Sequence, residues 1–296
     1  MAEKFPRSLL IRSGLVWRQG TGYILACDPR KEEESPHVEI FLWQQGNLAR
    51  TWAEFNAHSL CRISHPGKGL VYLSSEGFFG VNSQTNHAGN IFTDSAPPPP
   101  NPRYGSFRSV AEIDGKAYAV GLRGMVYRLD EWTRWTRIDD GLPETFDIQA
   151  IHGFGESDLY AVGFRGECFR NDGRKWSMIE MPTNVNLTAV LCAPDGVVYV
   201  AGHNGVLIAG REARWSVIEH DETDKHIWDL EWFGNTVYAS TMTGVYALDG
   251  RRLRAVDFGP DAPTTTYQLS AASDALWSIG EKDIMAFDGT AWSRVL

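Results

Sequence analysis

The stretch YAVGLRGMVYRLDEW, residues 118 to 132, is written again with small changes as YAVGFRGECFRNDGRKW at residues 160 to 176. Further variants follow: YVAGHNG from Tyr199, YASTMTG from Tyr238 and WSIGEKD from Trp277, with leading aromatics 42, 39, 39 and 39 residues apart. Upstream, VYLSSEG places Tyr72 46 residues before Tyr118, and GYILACD places Tyr23 49 residues before Tyr72, which makes seven registers. A period near 40 is a mark of repeat architectures.

Within one period the text reads as four short strands, for example LTAVLCA, VVYVAG, GVLIAG and ARWSVIE, separated by PDG, HNG and REA. These runs are rich in Val, Ile, Tyr and Trp and bounded by Gly, Asn, Asp or Pro, which predicts antiparallel meanders rather than helices. Four strands in each of seven registers predict an all-β fold, a seven-bladed β-propeller of four-stranded antiparallel blades, with residues 1–296 as a single domain. The approximate blades are 8–54, 58–95, 107–142, 147–181, 187–219, 227–258 and 267–296. An open solenoid fits antiparallel meanders less well.

The recurring letters have structural reasons. Paired glycines such as Gly121 and Gly124, Gly163 and Gly166, and Gly202 and Gly205 bracket a two-residue connection between second and third strands, where positive φ is expected. Asp-Gly pairs in NDG, LDG and FDG supply the turns into fourth strands. Trp135, Trp176, Trp215 and Trp292, with Leu253 in the sixth register, open those fourth strands and are expected to fill the space between neighbouring blades.

The pattern VG-x-x-G-x-V-x-R-x-D-G-x-x-W resembles the BNR-like repeats of photosystem II assembly-factor-like β-propellers, best over residues 107 to 296 and poorly over 8 to 95. Here NDGRKW and FDGTAW set Asp beside Gly and lack the leading Ser of an S-x-D-x-G-x-x-W Asp-box, so the sequence departs from the sialidase pattern. The resemblance implies a non-enzymatic, protein-binding scaffold.

Composition narrows the function further. The chain is acidic, with a net charge of −9 and a pI near 5.4, which disfavours nucleic acid or an anionic membrane as partner. No segment approaches the roughly 18 apolar residues of a span, and Pro6, Arg7, Arg12 and Gly14 interrupt any leader-like core, so a cytoplasmic location is expected. Cys27, Cys61, Cys168 and Cys192 form no C-x-x-C pair and read as buried reduced thiols. No H-E-x-x-H, G-x-S-x-G or P-loop motif occurs, and no cofactor, metal site or catalytic residue is expected. The alternative is a carbohydrate-binding or glycoside-cleaving propeller, for which Glu112, Glu144, Asp147, Asp229 and Glu231 are the candidate carboxylates.

The reading that remains is a non-catalytic scaffold that binds another protein, and its sharpest form is sequestration of one specific protein, as an immunity protein neutralises a toxin. Its working surface is expected at the second-to-third-strand turns and the irregular connections between blades, including SAPPPPNPRYG and HDETDKH. The turns display Phe164, Arg123, Arg165, His203 and Asn204, with Leu122, Met242 and Thr243 at matching positions. An exposed apolar residue beside Arg suits an interface, and ion pairs to nearby carboxylates are the competing explanation. Tyr104, Phe146, His226, Trp228 and Tyr267 stand at first-strand entrances and complete the candidate binding set.

Overall fold

The computed structural model describes residues 5–31, 36–96 and 105–296. The run of prolines and Tyr104 lie outside the described residues, as does most of the acidic run at 31–34. The fold is a seven-bladed β-propeller of four-stranded antiparallel blades, each sheet taking its strands in chain order. The first blade runs through Leu10–Arg18, Thr21–Cys27, Val38–Gln44 and Asn47–Ala53, and the second through Ala57–Ile63, Gly69–Ser74, Phe78–Asn82 and His87–Asn90. The third uses Phe107–Ile113, Lys116–Gly121, Val126–Leu129 and Trp135–Arg137, whose outer edge takes Ser95–Ala96 as a parallel fifth strand. The fourth comprises Ile148–Gly155, Asp158–Gly163, Cys168–Asn171 and Trp176–Ile179, and the fifth Leu187–Cys192, Val198–Gly202, Leu207–Arg211 and Arg214–Val217. Asp229–Phe233, Thr236–Ser240, Val245–Asp249 and Arg252–Ala255 build the sixth. Gln268–Ala271, Leu276–Ile279, Ile284–Phe287 and Trp292–Arg294 build the seventh.

The chain divides into two compact units, Met1–Asn56 with Ala201–Leu207 and Val217–Leu296, and Ala57–Val200 with Ile208–Ser216. In the second unit the fourth-strand tryptophans do what the repeat predicts. Trp176 of the fourth blade is buried in a cluster with Ile113, Tyr118 and Leu142 of the third blade and its exit, and its indole Nε1 donates to the Ile138 carbonyl at 2.7 Å. Trp135 of the third blade meets Phe79 of the second edge to face at 5.5 Å, and Trp215 approaches Tyr160 of the fourth at 6.2 Å. Each large ring thus caps the preceding blade, where a smaller residue leaves a void costing about 3 to 5 kcal/mol.

In the first unit the two ends of the chain meet. Among the described residues no N-terminal strand joins the last blade; the first and seventh blades each carry four strands of their own. They are joined through their innermost strands, where Ser13 Oγ donates to Gln268 Oε1 at 3.0 Å and the Val16 N–H to Ser270 Oγ at 3.1 Å, and through the Ile11 N–H, which donates at 2.8 Å to the Glu281 carbonyl in the turn between the second and third strands of the seventh blade. Leu9, Val16, Ile24, Phe41 and Trp277 share one apolar cluster across that seam, with the Phe5 ring tilted against Phe41 at 5.1 Å. Gly22 is required there, because a Cβ at this position collides with the Trp277 ring. All four cysteines are buried free thiols, and burial raises the thiol pKa of Cys61, Cys168 and Cys192.

The last strand closes the seventh blade. Trp292 packs on Phe258 at 4.6 Å and on Phe287 at 5.1 Å, and the Val295 N–H donates to the Ile284 carbonyl at 2.8 Å. Truncation after Ala291 removes this apolar cover and is expected to lower unfolding free energy by about 3 kcal/mol or more, read as a fall in the urea midpoint. An unchanged midpoint contradicts the assignment.

Candidate functional site

The G-x-x-G turns are built by the chain that comes after them. The first glycine is extended, with φ of −158° at Gly163 and −173° at Gly202, and what it supplies is space. A Cβ on Gly163 would lie 2.5 Å from the Asp147 carbonyl oxygen, on the connection into the same blade. Positive φ falls instead on the last two residues: Arg123 and Gly124 at 61° and 67°, Arg165 and Gly166 at 56° and 73°, Asn204 and Gly205 at 57° and 70°. A left-handed arginine costs about 1 kcal/mol, so something must hold it.

What holds it is a side chain just before a first strand. The backbone N–H of Arg123 donates to Asp147 Oδ1 at 3.2 Å, that of Arg165 to Asn186 Oδ1 at 3.1 Å, and that of Asn204 to His226 Nδ1 at 3.2 Å. Three different acceptors thus do one job at equivalent positions.

In the second unit, Arg123 is closed onto Glu144, and Arg165, largely exposed, reaches Glu167 at 3.3 Å. Both arginines therefore carry a carboxylate partner, as the competing explanation required. Phe164 is half-buried at its turn. Phe146 is a correction: it is completely buried, 4.6 Å from the Phe169 ring, and belongs to the core of the fourth blade instead of a binding surface. Its place beside a proline-containing connection resembled a surface position, but the Gly163 gap lets the ring turn inward.

In the first unit, four predicted residues come together. His203 and His226 stack with ring centroids 3.9 Å apart and planes 6° from parallel, and Trp228 meets both edge on at 6.1 and 6.0 Å. Asn204, exposed, is tied to the same cluster through His226. Because His226 Nδ1 accepts that bond, its proton sits on Nε2. Burial, and next the neighbouring His226, hold the His203 pKa below the usual range. Beside the rings lies a shallow groove lined by Asp224, Lys225, His226, Trp228, Met242 and Thr243. Trp228 and Met242 are 40% and 48% exposed, unusual for such large apolar side chains. Lys225 Nζ donates to Thr243 Oγ1 at 2.7 Å across the groove. Lys225 and Asp224 were not singled out from the sequence; only their neighbourhood in HDETDKH marked them. Tyr267 is half-buried, and its carbonyl accepts from Ser240 Oγ at 2.7 Å.

The candidate catalytic carboxylates are engaged in structure. Glu112 accepts the Gly115 N–H, Glu144 pairs with Arg123, Asp147 holds the Arg123 turn, and Glu231 accepts the Trp232 N–H. Asp229 receives the N–H groups of Leu230 and Leu269, each at 2.9 Å. Among the described residues no group of three metal-ligating side chains occurs.

Burial outweighs those two bonds at Asp229 and raises its pKa from 3.8 to about 7. The folded state therefore keeps a proton that the unfolded chain releases near pH 4. This contribution to stability is complete below pH 4 and lost as pH rises through 7, at about 1.4 kcal/mol per tenfold difference in proton affinity. The difference in urea midpoint between the native sequence and Asp229→Asn is expected to shift against the native sequence as pH rises from 5 to 8; a difference constant with pH contradicts it.

No family model matches the chain. The sequence is 44% identical over 302 residues to the immune protein Tsi7 of Pseudomonas aeruginosa strain PAO1, covering 96% of each protein. Among solved structures, the WD40 propeller domain of Doa1 superposes with a TM-score of 0.69 at 10% identity, covering 98% of this chain and 93% of that one. YCF48 from Cyanidioschyzon merolae gives 0.59 at 13% identity, over 80% and 84% of the two chains. YCF48 bound to D1 peptide gives 0.57 at 12%, over 76% and 77%. These structural likenesses bear on the fold alone, and at that level the resemblance to photosystem II assembly-factor-like propellers holds.

Proposed function

The chain belongs to the family of the immune protein Tsi7, and from that premise we propose that it is an immunity protein that binds one toxin and neutralises it without chemistry of its own. The observation that carries this reading is identity at 44% of positions across 96% of both proteins. The engaged carboxylates support the non-catalytic part. The four buried thiols support a cytoplasmic site of action, where thiols stay reduced. No helix among the described residues is long and apolar enough to cross a membrane.

The contact surface is proposed at the turn ends of the blades. On the second unit the proposed contact residues are Arg123, Arg165 and Phe164, and on the first unit they are His203, Asn204, His226 and Trp228. Since both arginines already hold carboxylates, reversing their charge is expected to change affinity less than removing the aromatic cluster.

The test is neutralisation. The protein encoded next to this chain's gene is expressed in a heterologous bacterium with and without the chain. Growth arrest by the neighbour alone, relieved by co-expression and accompanied by a stable complex on size exclusion, is the expected result. Arrest that persists at equal expression, with no complex, contradicts the proposal.

A further inference from the structure

An acidic connection adjoins the groove beside Trp228. The connection that leads into it, EHDETDK at 219 to 225, carries Glu219, Asp221, Glu222 and Asp224 against the single Lys225. All four carboxylates are exposed, and among the described residues none has an ion-pair partner. Glu222 accepts one bond, from the Ala255 N–H at 3.1 Å. Some exposed acids elsewhere do hold a cation, as Glu144 holds Arg123, Glu131 Arg134, Asp249 Arg254 and Asp261 Arg294.

This acidic connection is held in place. His220 Nε2 bonds the Gly205 carbonyl at 2.8 Å, and Gly205 leaves no room for a Cβ against the Thr223 carbonyl, so the segment runs directly over the His203–Gly205 turn. Asp224 lines the groove together with Trp228 and Met242, and the other three carboxylates precede it on the same connection. Lys225, the one cation there, is turned onto Thr243.

We propose that this groove receives a cationic segment of the toxin, a Lys- or Arg-bearing stretch whose positive groups meet the 219–224 carboxylates and whose apolar or guanidinium surface covers Trp228. The inference rests on the immunity reading above and gives it a partner chemistry. Three physical terms point the same way. Unpaired carboxylates attract a cation and raise its encounter rate. An exposed indole face binds guanidinium or ammonium groups. A Trp and a Met exposed side by side over a rigid turn supply the desolvated anchor that interfaces concentrate their affinity on. An acidic partner meets the reverse on all but the last.

The experiment titrates the purified product of the neighbouring gene, used in the growth assay, into four proteins at 50 and 500 mM NaCl. They are the native chain, Trp228→Ala, the triple variant Asp221→Asn with Glu222→Gln and Asp224→Asn, and Met178→Ala, an exposed apolar control on the fourth blade. The expected loss is about 20-fold or more for Trp228→Ala at both salt concentrations, as for a central aromatic anchor. For the triple variant it is about tenfold at 50 mM, shrinking to about threefold or less at 500 mM as salt screens the native carboxylates. The Met178→Ala control stays within about twofold. In the native complex, amide exchange across 219–228 and 241–244 slows, a readout that needs no variant. Native affinity in both the Trp228→Ala and triple variants, or no slowing in these segments, overturns this site while leaving the immunity reading intact. A loss confined to Trp228→Ala overturns the cationic chemistry. No complex with the native chain overturns both readings.

Discussion

A second strand buried on both faces cannot be satisfied by its own sheet. Gly69–Ser74 is buried at every residue, and Lys116–Gly121 and Asp158–Gly163 at every residue but the first. Hydrogen bonds to first and third strands satisfy the backbone, but the two side-chain faces need another blade on each side. Repetition follows from that requirement: Trp176 reaches back to Tyr118, and Trp277 packs into the first blade beside Phe41 and Trp43. The closing seam between first and last blades uses the same inner strands, with Gln268 and Ser270 standing where irregular backbone would otherwise leave donors unpaired.

This constraint explains why the architecture was legible in one sequence. Short apolar runs bounded by turn residues, aromatics about 40 residues apart and Asp-Gly turns each depend on local geometry, and the blades repeat that geometry. The glycines were legible as turn residues, but their division of labour was not. Gly163 and Gly202 are extended, and Gly163 gives way to an incoming backbone, whereas Gly166 and Gly205 are left-handed, and sequence alone writes both as Gly.

The candidate site was legible only in part, for reasons that lie in the connections. His203 and His226 are 23 positions apart, and their stacking arises because His226 replaces Asp147 and Asn186 as the acceptor for a turn amide. That equivalence shows in the register: acceptor follows turn residue by 24, 21 and 22 positions. Phe146 occupies the position before one such acceptor yet points inward, since irregular connections carry no periodicity to tell inside from outside. The arginine pairs depend on two side chains finding each other across a turn. The functional assignment came from a relative aligned along nearly the whole chain, while the propeller resemblance bore on the fold.

A surface displayed by left-handed residues works as a binding platform only if those residues do not relax, and the account holds that a side chain from the next connection fixes each of them. Amide hydrogen exchange at Arg123, Arg165 and Asn204 tests that claim most directly, in the native protein and in Asp147→Ala, Asn186→Ala and His226→Ala. The account predicts that all three amides are protected in the native protein by about tenfold or more, the scale of one hydrogen bond's net stabilisation. Each variant then releases its own amide and leaves the other two as they were. Three amides that exchange in the native protein as fast as in an unstructured chain would contradict it.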